Sequence, residues 1–173
     1  ILDLVSRISE VITAIGVAVK GKQDKSINKI LSMDVTLNTT TLVPLSDFNV
    51  TLLPNKVYQI VAYIPFVHST SGAVCNIGYA TPSDAISFLE VLTPINTGNL
   101  AVYDYYSYLY SSNTPITDAK AGYTLLTNGD NNPCIVKGII KTISGGTFSI
   151  KVASEDGTAV VIKQNATLIL IPN

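Results

Sequence analysis

Apolar residues recur every three or four positions along the start of the chain. They fall at Ile1, Leu4, Val5, Ile8, Val11, Ile12, Ile15, Ala18 and Val19, with Asp3, Arg7, Glu10 and Lys20 kept off the stripe. That period predicts an amphipathic helix. Written as heptads, Ile1, Ile8 and Ile15 share one core position and Leu4, Val11 and Ala18 the other, while Val5, Ile12 and Val19 widen the stripe. Branched residues at both core positions with an apolar flank favour three strands over two. The expectation is an N-terminal coiled coil over residues 1–21, with Ile1, Leu4, Ile8, Val11, Ile12, Ile15 and Val19 at a trimer interface. A helix of about 20 residues is about 30 Å long and only marginally stable alone in water, and no other segment shows a helical stripe to pack against it. Two more copies of the chain are the expected partners. Gly21 ends the helix, and "GKQDKSINK" reads as a polar neck within a linker placed at 22–32.

Beyond the neck the period shortens to two, with short apolar runs between turn residues, the pattern of an all-β body over 33–173. In "KVYQIVAYIPF" Tyr58, Ile60, Ala62 and Ile64 share one face, and Pro65 marks an edge or a bend. In "GTFSIKVAS" Phe148, Ile150 and Val152 point one way, with Thr147, Ser149 and Lys151 expected toward solvent. Further strands are expected at Val35 to Thr39, Phe48 to Leu53, Ala73 to Tyr79, Ile86 to Leu92, Leu100 to Tyr110, Tyr123 to Leu126, Ile135 to Ile143, Val160 to Ile162 and Leu168 to Ile171. About ten strands at this spacing suit a two-sheet jelly-roll sandwich. Gly, Pro, Asn and Asp punctuate the runs in "LLPNK", "ATPSD", "TNGDNNP", "ISGG" and "SEDGT". The last strand, "ATLILIPN", is apolar on both faces and therefore expects cover on both sides, one of them a subunit contact.

Composition narrows the classes. At 173 residues and 18.4 kDa the chain holds one core and an extension. Hydrophobic residues make up 47% and charged residues 13%, with a mean hydropathy of +0.37, so Ser, Thr and Asn carry solubility. A net charge of -1 with scattered Lys and Arg leaves no footprint for phosphate backbones, which argues against nucleic-acid binding. No apolar run approaches the roughly 20 residues that span a bilayer. The chain starts at Ile1 rather than Met and lacks a signal-peptide start, so residues upstream of Ile1 are expected to be missing. Cys75 and Cys134 fit no metal-ligand spacing and sit in apolar stretches, where free buried thiols are expected.

Two stretches carry a family likeness. In "TLNTTTLVPLSDFNVTLLPNKVYQIVAYIPF" the carriers are Leu42, Val43, Leu45, Phe48, Thr51, Leu52, Lys56 and Tyr58. In "CIVKGIIKTISGGTFSIKVASEDGTAVVIKQNATLILI" they are Gly138, Gly146, Thr147, Ala153, Ser154 and the last apolar strand. With these the chain resembles the C-terminal β-sandwich region of tailed-bacteriophage head-fibre, tail-fibre and decoration proteins. The pattern departs from the family where Asn165, Ala166 and Thr167 replace a frequent Gly-Ser, and residues 81–133 align with nothing in it. The resemblance implies a homotrimer of jelly rolls like the tumour-necrosis-factor and complement C1q heads, often on a coiled-coil stalk. It further implies attachment to phage capsid or tail proteins through the N-terminal end, and a place on the virion surface after assembly in the bacterial host cytoplasm.

Candidate chemistry is thin. Tyr103, Tyr105, Tyr106, Tyr108 and Tyr110 crowd "VYDYYSYLY", offering stiff contact area with polar tips for a sugar or a subunit. His68 is the single histidine, without neighbours for zinc and without a nucleophile-elbow serine. Asp84, Glu90, Asp104, Asp118, Asp130, Glu155 and Asp156 are scattered, and solvated loop acids are expected rather than a glycosidase pair. "TNGDNNP" lacks the closing acid of a calcium loop, and the sequons at Asn38, Asn49 and Asn165 act only in a eukaryotic secretory path. The sequence thus predicts no enzyme, no metal and no cofactor. A trimeric head fibre or capsid decoration is expected, the alternative being a receptor-binding tail fibre that recognises host surface glycan.

Overall fold

A computed structural model describes residues 25–68, 75–96, 103–112, 132–154 and 157–173. The expected helix over 1–21 and the expected strand at Tyr123 to Leu126 lie outside these residues. Among the described residues twelve strands run in order: β1 (Ile27–Ile30), β2 (Val35–Leu37), β3 (Val43–Pro44), β4 (Val50–Leu52), β5 (Val57–His68), β6 (Cys75–Ala80), β7 (Ile86–Asn96), β8 (Tyr103–Ser112), β9 (Asn132–Lys141), β10 (Gly146–Ser154), β11 (Val160–Ile162) and β12 (Thr167–Pro172). A short 3-10 turn, Ser46–Phe48, joins β3 to β4. All strand pairs are antiparallel.

The larger sheet has the order β1-β12-β5-β9-β7-β8, and β11 bridges β2 to β5. The smaller one is built on β10, which pairs with β3, β4 and β6. Alternation along β5 explains why the sheets stack: Tyr58, Ile60, Ala62, Ile64 and Phe66 are all buried on one face. Phe48, Leu52, Ile77, Tyr79, Phe148, Ile150 and Val152 come from the smaller sheet and its turns into the same core cluster. The result is a mainly β protein with the layering of a β-sandwich.

Three local readings change. Residues 27–30, inside the segment expected as neck, form β1 because Ile27 and Ile30 find partners in Leu170 and Thr167 of β12. Leu31 follows into the core, its N–H donating to Ala166 O at 2.9 Å. Pro65 sits inside the sheet rather than on its edge, opposite Pro133. Its lost donor is harmless there, because β5 changes partner at that point, from Thr167 of β12 opposite Tyr63 to Ile162 of β11 opposite Phe66. Ser149, expected in solvent, is 6% exposed, since β10 has β6 along its side from Ser149 to Ser154. β12 buries Leu168 and Leu170 but leaves Ile171 exposed, so only one of its two apolar faces is covered by the single chain.

The turn between β4 and β5 shows how the loops are held. The Leu53 N–H donates to the hydroxyl of buried Tyr58 at 2.9 Å. Thr142 Oγ1 donates to Leu53 O at 2.6 Å and accepts from the Lys56 N–H at 3.2 Å. Asn55 takes the left-handed conformation, φ 54°, that asparagine tolerates, and donates its N–H to Ile143 O. One buried threonine thereby satisfies a turn on one strand pair from the start of another connection.

Candidate functional site

Asp34, Asp47 and Asp84 each tie one loop to another, whereas Asp118, Asp130, Glu155 and Asp156 lie outside the described residues. Asp34 pairs with Lys163 and accepts from the Gln164 N–H at 2.8 Å. Asp47 accepts from both the N–H and the hydroxyl of Ser32, each at 2.9 Å. Asp84 accepts from the Ser144 N–H at 2.8 Å and from the Ser144 hydroxyl. Each carboxyl is held below its ordinary value, Asp34 chiefly by the Lys163 hydrogen bond, Asp47 by the Ser32 N–H and Asp84 by the Ser144 hydroxyl. Glu90 forms an ion pair with Lys137 at 3.0 Å across β7 and β9. These acids tie the described loops and strands together.

Cys75 and Cys134 are free and fully buried. Burial pushes both thiols up, and for Cys134 the neighbouring Cys75 adds to the effect, so neither is a nucleophile near neutral pH. No group of three or more His, Cys, Asp or Glu able to hold a metal occurs among the described residues. His68 ends β5, opposite Val160. No helix among the described residues is long and apolar enough to cross a membrane.

The tyrosine stretch forms β8, at the end of the larger sheet. Its register on β7 sets Tyr110 opposite Leu89, Tyr108 opposite Val91, Tyr106 opposite Thr93, Tyr105 opposite Pro94 and Tyr103 opposite Asn96. The heptad residues Ile1, Leu4, Ile8, Val11, Ile12, Ile15 and Val19 lie outside the described residues.

The feature that sequence reading did not assemble is the outer face of the larger sheet. Directly opposed residues in antiparallel strands share a face, so the register defines rows across β12, β5, β9 and β7. One row is Ile171, Gln59, Ile139 and Phe88; the next is Ile169, Val61, Lys137 and Glu90; the third is Thr167, Tyr63, Ile135 and Leu92. Val61, Tyr63, Ile86, Phe88, Ile139 and Ile171 on this face are 41–53% exposed. Ile30 of β1, opposite Thr167, extends the third row and is also exposed. Six such side chains leave on the order of 500 Å² in water, the upper range for the largest apolar patch of a monomer. The Lys137–Glu90 pair lies in the middle row, and exposed Lys141, opposite both Val57 and Ile86, adds a positive charge towards one end of the face.

The fold and its surfaces thus define a class: a mainly β, sandwich-like protein with one open apolar sheet face. No family model matches the chain, and no curated protein matches it. Among solved structures, the VP2 subviral particle of infectious bursal disease virus is similar at 11% identity and a TM-score of 0.31, over 86% of this chain and 40% of that one. The Gx strain of the same virus gives 11% identity and a TM-score of 0.28, over 87% and 42%. The chain therefore spans about two fifths of the length of these structures.

Proposed function

We propose that the chain is a non-enzymatic structural protein of a tailed bacteriophage virion, a homotrimer projecting as a head fibre or capsid decoration. The N-terminal helices bundle toward a capsid or tail anchor, and three jelly-roll bodies face outward. What carries this reading is where the family-like residues fall. Lys56 and Tyr58 enter β5 through the turn that Thr142 ties. Gly138 sits at a close crossing of β9 and β7, its absent Cβ only 2.1 Å from Phe88 O. Gly146 and Thr147 open β10, while Ser154 closes it and donates its N–H to Thr39 O. Leu45, Phe48 and Leu52 fill the core. The likeness thus rests on framework positions of a sandwich rather than on surface composition, and the heptad stripe adds the stalk.

The trimer is tested by sedimentation of the full chain. Wild type is expected at three times 18.4 kDa, and Ile8→Asp, which sets three charges at one buried layer, is expected to dissociate it. An unchanged trimer in that variant refutes the stalk. Antibody to the chain is expected to decorate the heads of intact particles. A second reading, a receptor-binding tail tip, is favoured by one observation, the five tyrosines on a single terminal strand. It requires labelling at the tail and binding to host glycans on an array.

A further inference from the structure

We propose that Cys75 and Cys134 form a redox switch: oxidation joins them in one disulfide across the core, tying the smaller sheet to the larger, and reduction releases it. The proposal concerns the sandwich itself and stands apart from the virion reading. The chain has two cysteines, and both enter one core from opposite sheets. Cys134 lies on β9 opposite Ile64 of β5, so it shares the inward face of the larger sheet with Ile64 and with Val136. Cys75 begins β6 opposite Ser154, in step with the inward residues Ile77 and Tyr79 of the smaller sheet. Both are fully buried, and both belong to the same cluster of packed side chains.

Their heights along the strands also agree. β5 ends at His68, and Val160 of β11 stands between His68 and Leu37 of β2. Just beyond Leu37, Thr39 O accepts from the N–H of Ser154, the register partner of Cys75. Cys75 therefore sits at the His68 end of the sandwich, and Ile64 places Cys134 in the same half of β5. The two thiols lie within each other's electrostatic reach. Facing sheets pack about 10 Å apart, a gap that an inter-sheet disulfide spans in immunoglobulin sandwiches. The Cys75 S–H is a weak donor at 3.9 Å from Asn76 O, so little restrains that sulfur from turning to its partner. In the step proposed, each thiol gives up its hydrogen and one electron and the S–S bond forms, while a small-molecule disulfide such as oxidised glutathione is cleaved to two thiols. Burial keeps both thiols protonated, so the exchange runs during folding or through opening of this end of the sandwich, not in the closed core. A reducing compartment leaves the pair free, and an oxidising medium locks the sheets together.

The full chain, unfolded in urea and refolded at one protein concentration in reduced or in oxidised glutathione, tests this. Non-reducing mass spectrometry is expected to show the oxidised product lighter by two hydrogens, with a peptide linking Cys75 to Cys134. The bond closes a loop of about 60 residues, so the melting midpoint should rise by roughly 10 °C with the β signal in circular dichroism unchanged, and dithiothreitol should reverse the rise. Cys75→Ala and Cys134→Ala should each abolish the rise. Thiols that stay free, or that link to glutathione or to another chain instead, overturn the proposal. A linked chain that loses its β signal or melts below the reduced one overturns it as well.

Discussion

Replacing Gly138 by alanine should be among the most damaging single-methyl changes in this protein. Gly138 has φ +151°, and a Cβ built there meets Phe88 O at 2.1 Å and Leu89 Cα at 2.9 Å. Both obstacles are backbone atoms of β7, so no rotamer change relieves the clash. The conformation itself costs a side-chain-bearing residue about 1–3 kcal/mol, and forcing apart packed strands adds about 1–3 kcal/mol. The two add to about 2–6 kcal/mol, and a loss in the middle of that range, about 3–5 kcal/mol, is expected. Gly157 supplies the internal control: its φ is +81°, yet its nearest neighbour is Asn38 O at an ordinary 3.7 Å. Gly157→Ala pays only the backbone cost, about 1–2 kcal/mol. Urea or thermal unfolding of both variants at one fixed protein concentration makes the comparison, because self-association shifts apparent stability. On a chain of this size about 3–5 kcal/mol corresponds to a midpoint lowered by roughly 10 °C. Equal losses in the two variants would refute the claim that a close strand crossing, rather than φ alone, fixes glycine at 138.

Thr142→Val keeps the shape but removes the oxygen that serves Leu53 O and the Lys56 N–H; about 1–3 kcal/mol of stability should go, and Thr142→Ser should restore most of it in the same melt. Folded-state carboxyls of Asp34, Asp47 and Asp84 lie below the ordinary 3.8, so the unfolded chain binds protons first as pH falls. Their contribution is fully present above about pH 5 and is lost as pH falls below about 4; melting temperature plotted against pH should show that decline, blunted in Asp84→Asn. Cys75 and Cys134 should resist iodoacetamide at pH 7 in the native chain and react once denaturant is added, which mass spectrometry reads directly.

How far the sequence alone reaches depends on whether a feature is local. The alternation of Phe148, Ile150 and Val152 marks β10 because a two-residue period needs no knowledge of partners. β1 escapes such reading, since Ile27, Asn28, Lys29 and Ile30 are too few and too polar, and their strand exists by virtue of Leu168 and Leu170 far along the chain. Ser149 looks like a solvent position until β6 is laid beside it. The apolar face was legible only piecewise: the second apolar side of "ATLILIPN" was visible, but uniting Ile171 with Ile139 and Phe88 requires the register of three strand pairs. Long-range register is the information that composition and periodicity do not hold.

β1 has a mechanical consequence. It is four residues long, lies at the rim of its sheet and is clasped by β12 and the Leu31–Ala166 hydrogen bond. Tension passing along the chain into residue 25 meets β1 before any other described strand, so this short clasp is the first of them to peel. Behind it, β5 is gripped on both sides along most of its length, and a tug that opened the rim would stop at that inner girder before the packed interior felt it.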